Sequence, residues 1–284
     1  MNDAVRYGDI PEAFGNAETA KAVILPVPYD GTSTWIKGAD KGPRALLNAS
    51  ANMELYDIEC DSQVYEHGIF TDEPVTENAS PKAMVDAVFD RTKTHLANRK
   101  FVVVIGGEHS VSIGAIGAHA DHFENLTVLQ LDAHGDLREK YQGSSYSHAS
   151  VMARARQLCP IAQVGIRSMC EQEKQSIDPG RVLFADTAEH RGDWPERVVS
   201  LLSQRVYLTV DLDVFDPAIM PSTGTPEPGG LGWHEVLRIL KLAIEQKDLV
   251  GFDVVELCPN PANPAPDFLA AKLVYKILSY KFQS

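Results

Sequence analysis

Short apolar runs alternate with longer amphipathic stretches along almost the whole chain. Ala22–Pro26, Phe101–Ile105, Thr127–Leu131, Ile161–Ile166, Val182–Ala185, Val206–Leu212 and Leu249–Val255 read as strands, with Gln63–His67 as a weaker eighth. Helical spacing predicts helices over Gly42–Ala49, Pro81–Ala97, Ser112–Asp121, His148–Gln157, Glu171–Ser176, Trp194–Gln204, His234–Gln246 and Pro266–Phe282. Several strands are apolar over their full length, as burial on both faces requires. The alternation predicts an α/β fold, a mostly parallel sheet covered by helices on both faces, and 284 residues suffice for one large domain of this kind or two small ones. Two loops stand out: Pro28–Gly42, rich in Gly, Asp and Thr, and Asp216–Leu231, rich in Pro and Gly. Long loops in compact domains tend to carry function.

The strand ends carry the candidate chemistry. The run Leu126–Leu131 leads directly into Asp132-Ala133-His134-Gly135-Asp136. Strand alternation would send Asp132, His134 and Asp136 the same way, and even a bent strand end delivers all three to one edge of the sheet. Crowding such groups is costly unless a cation joins them. Val206–Val210 leads into Asp211-Leu212-Asp213, and Phe101–Ile105 into Gly106-Gly107-Glu108-His109-Ser110. Three strand ends thus deliver four aspartates (Asp132, Asp136, Asp211, Asp213) and two histidines (His109, His134), at the edge where open α/β sheets place their sites. Carboxylate and imidazole without thiolate suit a hard or borderline divalent ion, Mn²⁺ first, with Zn²⁺, Fe²⁺, Co²⁺ and Ni²⁺ as alternatives. Six ligands are too many for one catalytic ion that keeps open positions. Two ions sharing bridging aspartates, roughly 3.5–4 Å apart, fit better and would acidify a shared water to hydroxide. The aspartates cancel the two dications, so the hydroxide leaves the cluster negative, which favours a cationic substrate over a phosphate.

Several residues have two readings. Asp211 and Asp213 alone also fit a strand end or a helix cap. His109 fits a ligand or a helix start, with Glu108 favourable at the helix's positive end. His148, in Tyr146-Ser147-His148-Ala149, is an ordinary residue at a helix start or a proton shuttle. Glu256, closing Asp253-Val254-Val255-Glu256, grips a cationic group or faces solvent, and Asp253 is expected to be structural or to support the ligands from behind. His119 and His122 are expected on the surface despite their HxxH spacing, as are His67, His95, His190 and His234. Trp35, Trp194 and Trp233 are expected to pack against the body of the protein, Trp35 with the alternative of lining a pocket.

Composition narrows the partners. The chain is 44% hydrophobic and 23% charged, which fits a soluble globular protein. A net charge of −13 argues against nucleic acid and anionic membrane as partners and is compatible with a cationic substrate. The four cysteines lack CxxC pairing and read as reduced thiols. Met1–Arg6 shows no basic region leading into an apolar run, and no apolar stretch reaches transmembrane length, so a cytoplasmic location is expected.

Taken together, Gly106–Ser110 as GG[DE]HS, Asp132–Asp136 as DAHxD and Asp211–Asp213 as DxD resemble the ureohydrolase family of arginases and agmatinases. The resemblance runs from about Val23 to Tyr280. It implies a three-layer α/β/α fold with an eight-stranded, mostly parallel sheet, assembled as a homo-oligomer, trimer or hexamer. It implies that His109, Asp132, Asp136 and Asp211 hold one Mn²⁺ and that Asp132, His134, Asp211 and Asp213 hold the other. His148 would match the family's shuttle histidine, and Glu256 the carboxylate that holds a substrate guanidinium. Phe215–Ala218 and Gly224–Leu231 resemble the agmatinase branch, and Leu137–Tyr141 shows no match to the Asn and Ser with which arginases bind an α-carboxylate. The implied reaction is agmatine to putrescine plus urea, by attack of a metal-bridging hydroxide on the guanidinium carbon, with Asp136 or His148 supplying the leaving amine's proton. Arg138 and Lys140 stand near the implied entrance and would disfavour a diamine tail if they faced it. Other ureohydrolase substrates (N1-aminopropylagmatine, guanidinobutyrate, arginine, formiminoglutamate, guanidine) would use the same core. A binuclear metallophosphoesterase shares the DxH opening but lacks its GD and GNH partner motifs here. A catalytically silent scaffold is disfavoured by the intact motifs, and single-zinc deacetylase relatives by the full ligand set.

Overall fold

The computed structural model describes residues 5–185 and 192–283. Its centre is an eight-stranded sheet, ordered β2-β1-β3-β8-β7-β4-β5-β6. The strands are β1 (Ala22–Val27), β2 (Ile69–Thr71), β3 (Phe101–Gly106), β4 (Leu126–Leu131), β5 (Ile161–Ile166), β6 (Val182–Phe184), β7 (Arg205–Asp211) and β8 (Asp248–Val255). Every pairing is parallel, not merely most of them. Parallel neighbours need long crossovers, and helices supply most of them. These are α1 (Gly42–Ser50), α2 (Pro81–Ala97), α3 (Val111–His122), α4 (Val151–Ala155), α5 (Glu171–Ser176), α6 (Trp194–Leu201), α7 (Trp233–Gln246) and α8 (Ala265–Lys281).

Two apolar layers flank the sheet. Leu46 of α1, Val198 of α6, Leu240 of α7 and Leu273 of α8 pack with Ile24, Leu208 and Phe252 on one face. Met84 and Val88 of α2, Ile116 of α3 and Met152 of α4 pack with Val104, Val128 and Tyr207 on the other. This is the expected three-layer arrangement. Late in the chain, β7 and β8 fill the centre, between β3 on one side and β4 on the other. The carboxyl ends of β3, β8, β7 and β4 therefore lie side by side.

Three readings of the pattern are corrected. Gln63–His67 is not a strand: Val64–His67 forms a 3-10 turn, and the edge strand is the three-residue β2 that follows it. Gly68 makes the switch, with φ of 83° and a position where a Cβ would lie 2.6 Å from Ala20 Cα. Only past that crossing does Ile69 pair with Ala22. The helix expected over His148–Gln157 is a 3-10 turn followed by the short α4. His119 is not on the surface. It is fully buried, its Nδ1 is 2.8 Å from Ala115 O, and its ring packs on Tyr207 at 4.5 Å. His190 lies outside the described residues. Of the tryptophans, Trp194 is buried and Trp233 stacks on Phe215, whereas Trp35 is 70% exposed.

Lys276 of α8 pins the irregular connection between α1 and β2. Its buried Nζ lies 3.0 Å from Asp57 and 2.6 Å from Glu59. Burial opposes ionisation of both carboxylates, but backbone N–H groups and Lys276 hold Asp57 below its usual range. Lys276, Lys241 and Tyr280 likewise bring Glu59 down to about 2. Carboxylates depressed in the folded state add stability above their unfolded pKa of roughly 4 and lose it on acidification. Lys276→Met should therefore lower stability at pH 7 by about 3 kcal/mol, because Asp57 stays buried without its cation. Urea unfolding should show that deficit narrowing as the pH falls from about 4 towards 2.

Candidate metal centre

Gly107 brings the strand ends together. A Cβ at this position would lie 2.0 Å from Tyr29 O, so only glycine lets the segment after β3 pass the segment after β1. Around it, Gly107 N–H donates to Val27 O and Glu108 N–H to Tyr29 O, both at 2.8 Å, and Glu256 N–H donates to Gly107 O at 2.7 Å. The ends of β1, β3 and β8 are thereby locked to one another. Asp136 and Glu256 both adopt left-handed backbone, with φ of 50° and 67°. Such geometry in a non-glycine residue persists only where surrounding structure enforces it, and it clusters at functional sites.

All six residues read as ligands converge. His109 Nδ1 lies 3.2 Å from Asp132 Oδ2, 2.9 Å from Asp136 Oδ2 and 3.5 Å from Asp211 Oδ2. His134 Nδ1 lies 2.8 Å from Asp213 Oδ2 and 3.6 Å from Asp132 Oδ1. Two sets of candidate ligand atoms result, each set within 4.8 Å: His109 with Asp132 and Asp211, and Asp132 with His134 and Asp213. Asp132 belongs to both. Backbone amides orient the carboxylates, with His134 N–H donating to Asp132 Oδ1 at 2.6 Å, Ala133 N–H to Asp213 Oδ1 at 2.9 Å and Asp213 N–H to Asp211 Oδ1 at 2.9 Å.

The electrostatics show a cluster short of positive charge. Burial, then the neighbouring Asp213 and Asp132 carboxylates, push Asp211 well above its usual range. Burial and Asp132 push Asp136 up to about 7. Burial opposes the charged form of His109, but Asp132 and Asp136 raise it well above its ordinary value. Burial likewise opposes protonation of His134, and Asp213 and Asp132 overcome it. Without a cation, protons are held where the carboxylates repel one another. The donor set fits a divalent ion on one further count: His109 Nδ1 is buried and makes no hydrogen bond, although three carboxylate oxygens surround it. A ring nitrogen turned into an oxygen cluster stands where a cation can replace its proton and take it as a ligand.

A polar row beneath the strand ends holds these groups in place. Asp253, Thr209, Gln130 and Gln163 are register partners on the adjacent strands β8, β7, β4 and β5. Thr209 Oγ1 donates to Asp253 Oδ1 at 2.6 Å and lies 2.9 Å from His109 Nε2, so Nδ1 is left to face the carboxylates. Gln130 Nε2 donates to Asp132 Oδ2 at 2.7 Å, and Gln163 Nε2 donates to Gln130 Oε1 at 2.6 Å and to Gly135 O at 2.9 Å. Tyr207 adds a 2.7 Å bond to Asp253 Oδ2. Asp253 is structural, as expected, and the other members of the row went unread. Their only signal is polarity inside apolar strands. Arg167 was also missed. It donates to the carbonyls of Asp213 and Glu227 at 2.5 and 2.8 Å, fastening the Asp216–Leu231 loop to the end of β5.

The cluster floors a cavity of about 290 Å³, at the small end of ligand pockets, and His148 and Glu256 both line it. Glu256 does not face solvent: it is buried, and its Oε1 accepts His109 N–H at 2.7 Å. Burial and the neighbouring Glu108 push it up to about 8. His148 is held down at about 4, by burial and then by the positive charge on His109 and His134. Arg138 lines the cavity and Lys140 does not. The charge of Arg138 is offset by Glu173, 3.4 Å from its Nε, and its guanidinium lies over the Tyr141 ring at 4.6 Å. Glu108, read only as a helix-start acid, is buried and accepts from Thr32 N–H at 2.8 Å.

Thr209→Val removes the hydroxyl that orients His109 while keeping the side chain's shape. It should weaken divalent-metal affinity roughly 10- to 100-fold without unfolding the protein. Metal titration of the stripped variant, with circular dichroism as control, checks this.

Comparison with known proteins agrees with the geometry. The model of the Arginase family matches residues 20–279. An N(1)-aminopropylagmatine ureohydrolase of Synechocystis is 39% identical, covering 95% of this chain and 92% of that protein. An agmatinase of Pyrococcus horikoshii is 32% identical, covering 91% of each. The crystal structure of the agmatine ureohydrolase of Thermoplasma volcanium superposes with a TM-score of 0.87 at 30% identity, covering 99% of this chain and 96% of that one. With the fold, the motifs and the relatives in agreement over nearly its whole length, this chain belongs to the arginase family and is a ureohydrolase.

Proposed function

We propose that the protein hydrolyses an amine-tailed guanidine, with agmatine, giving putrescine and urea, as the leading substrate. The observation that carries this reading is the buried acidic floor: four aspartates and Glu256 converge at one end of the sheet, and the arginine that lines the cavity, Arg138, is paired with Glu173. His109, Asp132, Asp136 and Asp211 would hold one divalent ion, and Asp132, His134, Asp211 and Asp213 the other, with Mn²⁺ suited to the oxygen-rich set. Two such ions, when bound, supply a hydroxide nucleophile near neutral pH.

The chain's own residues do the rest. Glu256 would receive the guanidinium: Oε1 is steadied by His109 N–H, and charge-assisted hydrogen bonds to the carboxylate fix the carbon above the aspartates. A carboxylate pushed up by burial and by Glu108 gains most from a cationic partner, which favours guanidinium over a neutral amide. His148, on the cavity wall, would carry the proton that the leaving amine needs, with Asp136 as the relay on the floor. The tail would run towards Tyr141, Cys170 and Thr225. Because Glu173 offsets Arg138 there, the entrance does not repel a second cation as a free arginine would.

A second reading, N1-aminopropylagmatine, is supported by the relative of that name at 39% identity. The protein is proposed to act as one domain over 1–284, in the cytoplasm, as a homo-oligomer, trimer or hexamer. No helix of the described residues is long and apolar enough to cross a membrane.

Urea release by the Mn²⁺-loaded protein from agmatine, N1-aminopropylagmatine, guanidinobutyrate, arginine and guanidine tests the substrate. Turnover confined to the two amine-tailed compounds is expected, and preference for guanidinobutyrate or arginine would overturn the tail assignment. Asp211→Asn should abolish turnover even at saturating metal, and normal turnover in a metal-saturated Asp211→Asn protein would refute its place among the ligands. His148→Ala should slow turnover about 100-fold or more with bound metal, measured by elemental analysis, unchanged.

A further inference from the structure

The Pro28–Gly42 loop has so far no task in the reaction, yet one of its residues touches the proposed proton carrier twice. Thr32 Oγ1 accepts the backbone N–H of His148 at 3.0 Å and lies 3.1 Å from its Nδ1. The same hydroxyl contacts Glu108 Oε1 and Oε2 at 2.8 and 2.7 Å, and Thr32 N–H donates to Glu108 Oε2 at 2.8 Å. Glu108 immediately precedes His109 and is fully buried. The loop cannot swing freely about this contact. Asp30 closes its base, accepting Gly38 N–H at 2.7 Å and Ala39 N–H at 3.3 Å, and Glu108 N–H is bonded to Tyr29 O at 2.8 Å. The Tyr141 ring stands edge-on to the imidazole, 5.5 Å away.

We propose that Thr32 is a positioning residue for His148, its hydroxyl tying both the backbone and the imidazole of His148 to Glu108 and so to the strand end that carries His109. The proposal rests on the proton-carrying role given to His148 above. Hydrogen-bond counting describes how it works. A threonine hydroxyl has one proton and two lone pairs. Thr32 N–H, Thr32 O–H and Ser110 O–H converge on Glu108, the arrangement of an acceptor, so the Thr32 proton is committed there. One lone pair takes the His148 N–H, and the other faces Nδ1, which therefore carries the ring proton. The bare nitrogen is Nε2, the one free to exchange a proton within the cavity that His148 lines. The two strand-end loops thus set the orientation and the tautomer of one imidazole.

The test is a double-mutant cycle on the Mn²⁺-loaded enzyme, read as kcat and KM for urea release from agmatine and N1-aminopropylagmatine. Thr32→Val keeps shape and backbone N–H and should lower kcat about 10- to 100-fold with little change in KM, while Thr32→Ser should restore most of it. In a His148→Ala background, Thr32→Val should cost less than about a further twofold, because its route of action is already gone. A full additive loss there, or normal kcat in Thr32→Val, overturns the proposal. Normal kcat in His148→Ala alone instead removes the role of His148 and the proposal with it, so the two failures are distinguishable. Independently of turnover, nitrogen-15 histidine spectra of the Zn²⁺-loaded protein should show a protonated His148 Nδ1 in the native chain. That signal should be lost or shifted in Thr32→Val, and an unprotonated native Nδ1 would also overturn the proposal.

Discussion

Burying like charges is the constraint around which this molecule is organised. Asp132, Asp136, Asp211 and Asp213 are each less than a tenth exposed, and Glu256 joins them. Removing one carboxylate from water is unfavourable by several kcal/mol, and mutual repulsion adds to it. The fold meets part of that demand with dipoles, aiming the backbone N–H groups of residues 133, 134, 213 and 109 at carboxylate oxygens. The remainder is met by protons shared with His109 and His134, or by cations in their place. A cluster poised in this way is unstable as a piece of protein and well matched to a pair of divalent ions, which is the sense in which the site is built for metal.

That constraint reaches into the sheet. A row of polar residues across four adjacent strands looks misplaced in an apolar core until its bonds are followed. Asp253, Thr209, Gln130 and Gln163 sit in register because each supports a neighbour, and the row ends on His109 and Asp132. Parallel topology makes this arrangement accessible, since adjacent strands deliver their carboxyl ends to one edge and their register partners to one face. Inserting β7 and β8 between β3 and β4 puts the three motif-bearing ends and Glu256 on neighbouring strands.

The candidate ligand set was legible in the sequence because strand periodicity and local motif coincide. Asp132, His134 and Asp136 follow an apolar run directly, and the other two motifs repeat that context. The helices were legible for the same reason, with α2 and α5 matching their expected limits. What escaped has a common cause: its signal lies between segments distant in the chain. β2 is three residues long and depends on Gly68 slipping past Ala20. His119 looks like any polar helix residue until Gly251, whose lack of a side chain admits the imidazole, is brought opposite it by the sheet. Thr32 and Glu108 are 76 residues apart, and neither type of residue stands out in its own segment. Whether Arg138 faces the cavity could not be read from its own segment either: it lines it, and only the folded chain sets Glu173 beside it.

The central claim is that the buried carboxylates form a two-ion site sharing Asp132. Calorimetric titration of Mn²⁺ into the metal-stripped protein, repeated in buffers of different ionisation enthalpy, tests it most directly. The account predicts two equivalents bound per chain with release of protons, since the cations displace protons held on the aspartates and histidines. A single equivalent, or binding without proton release, would contradict it.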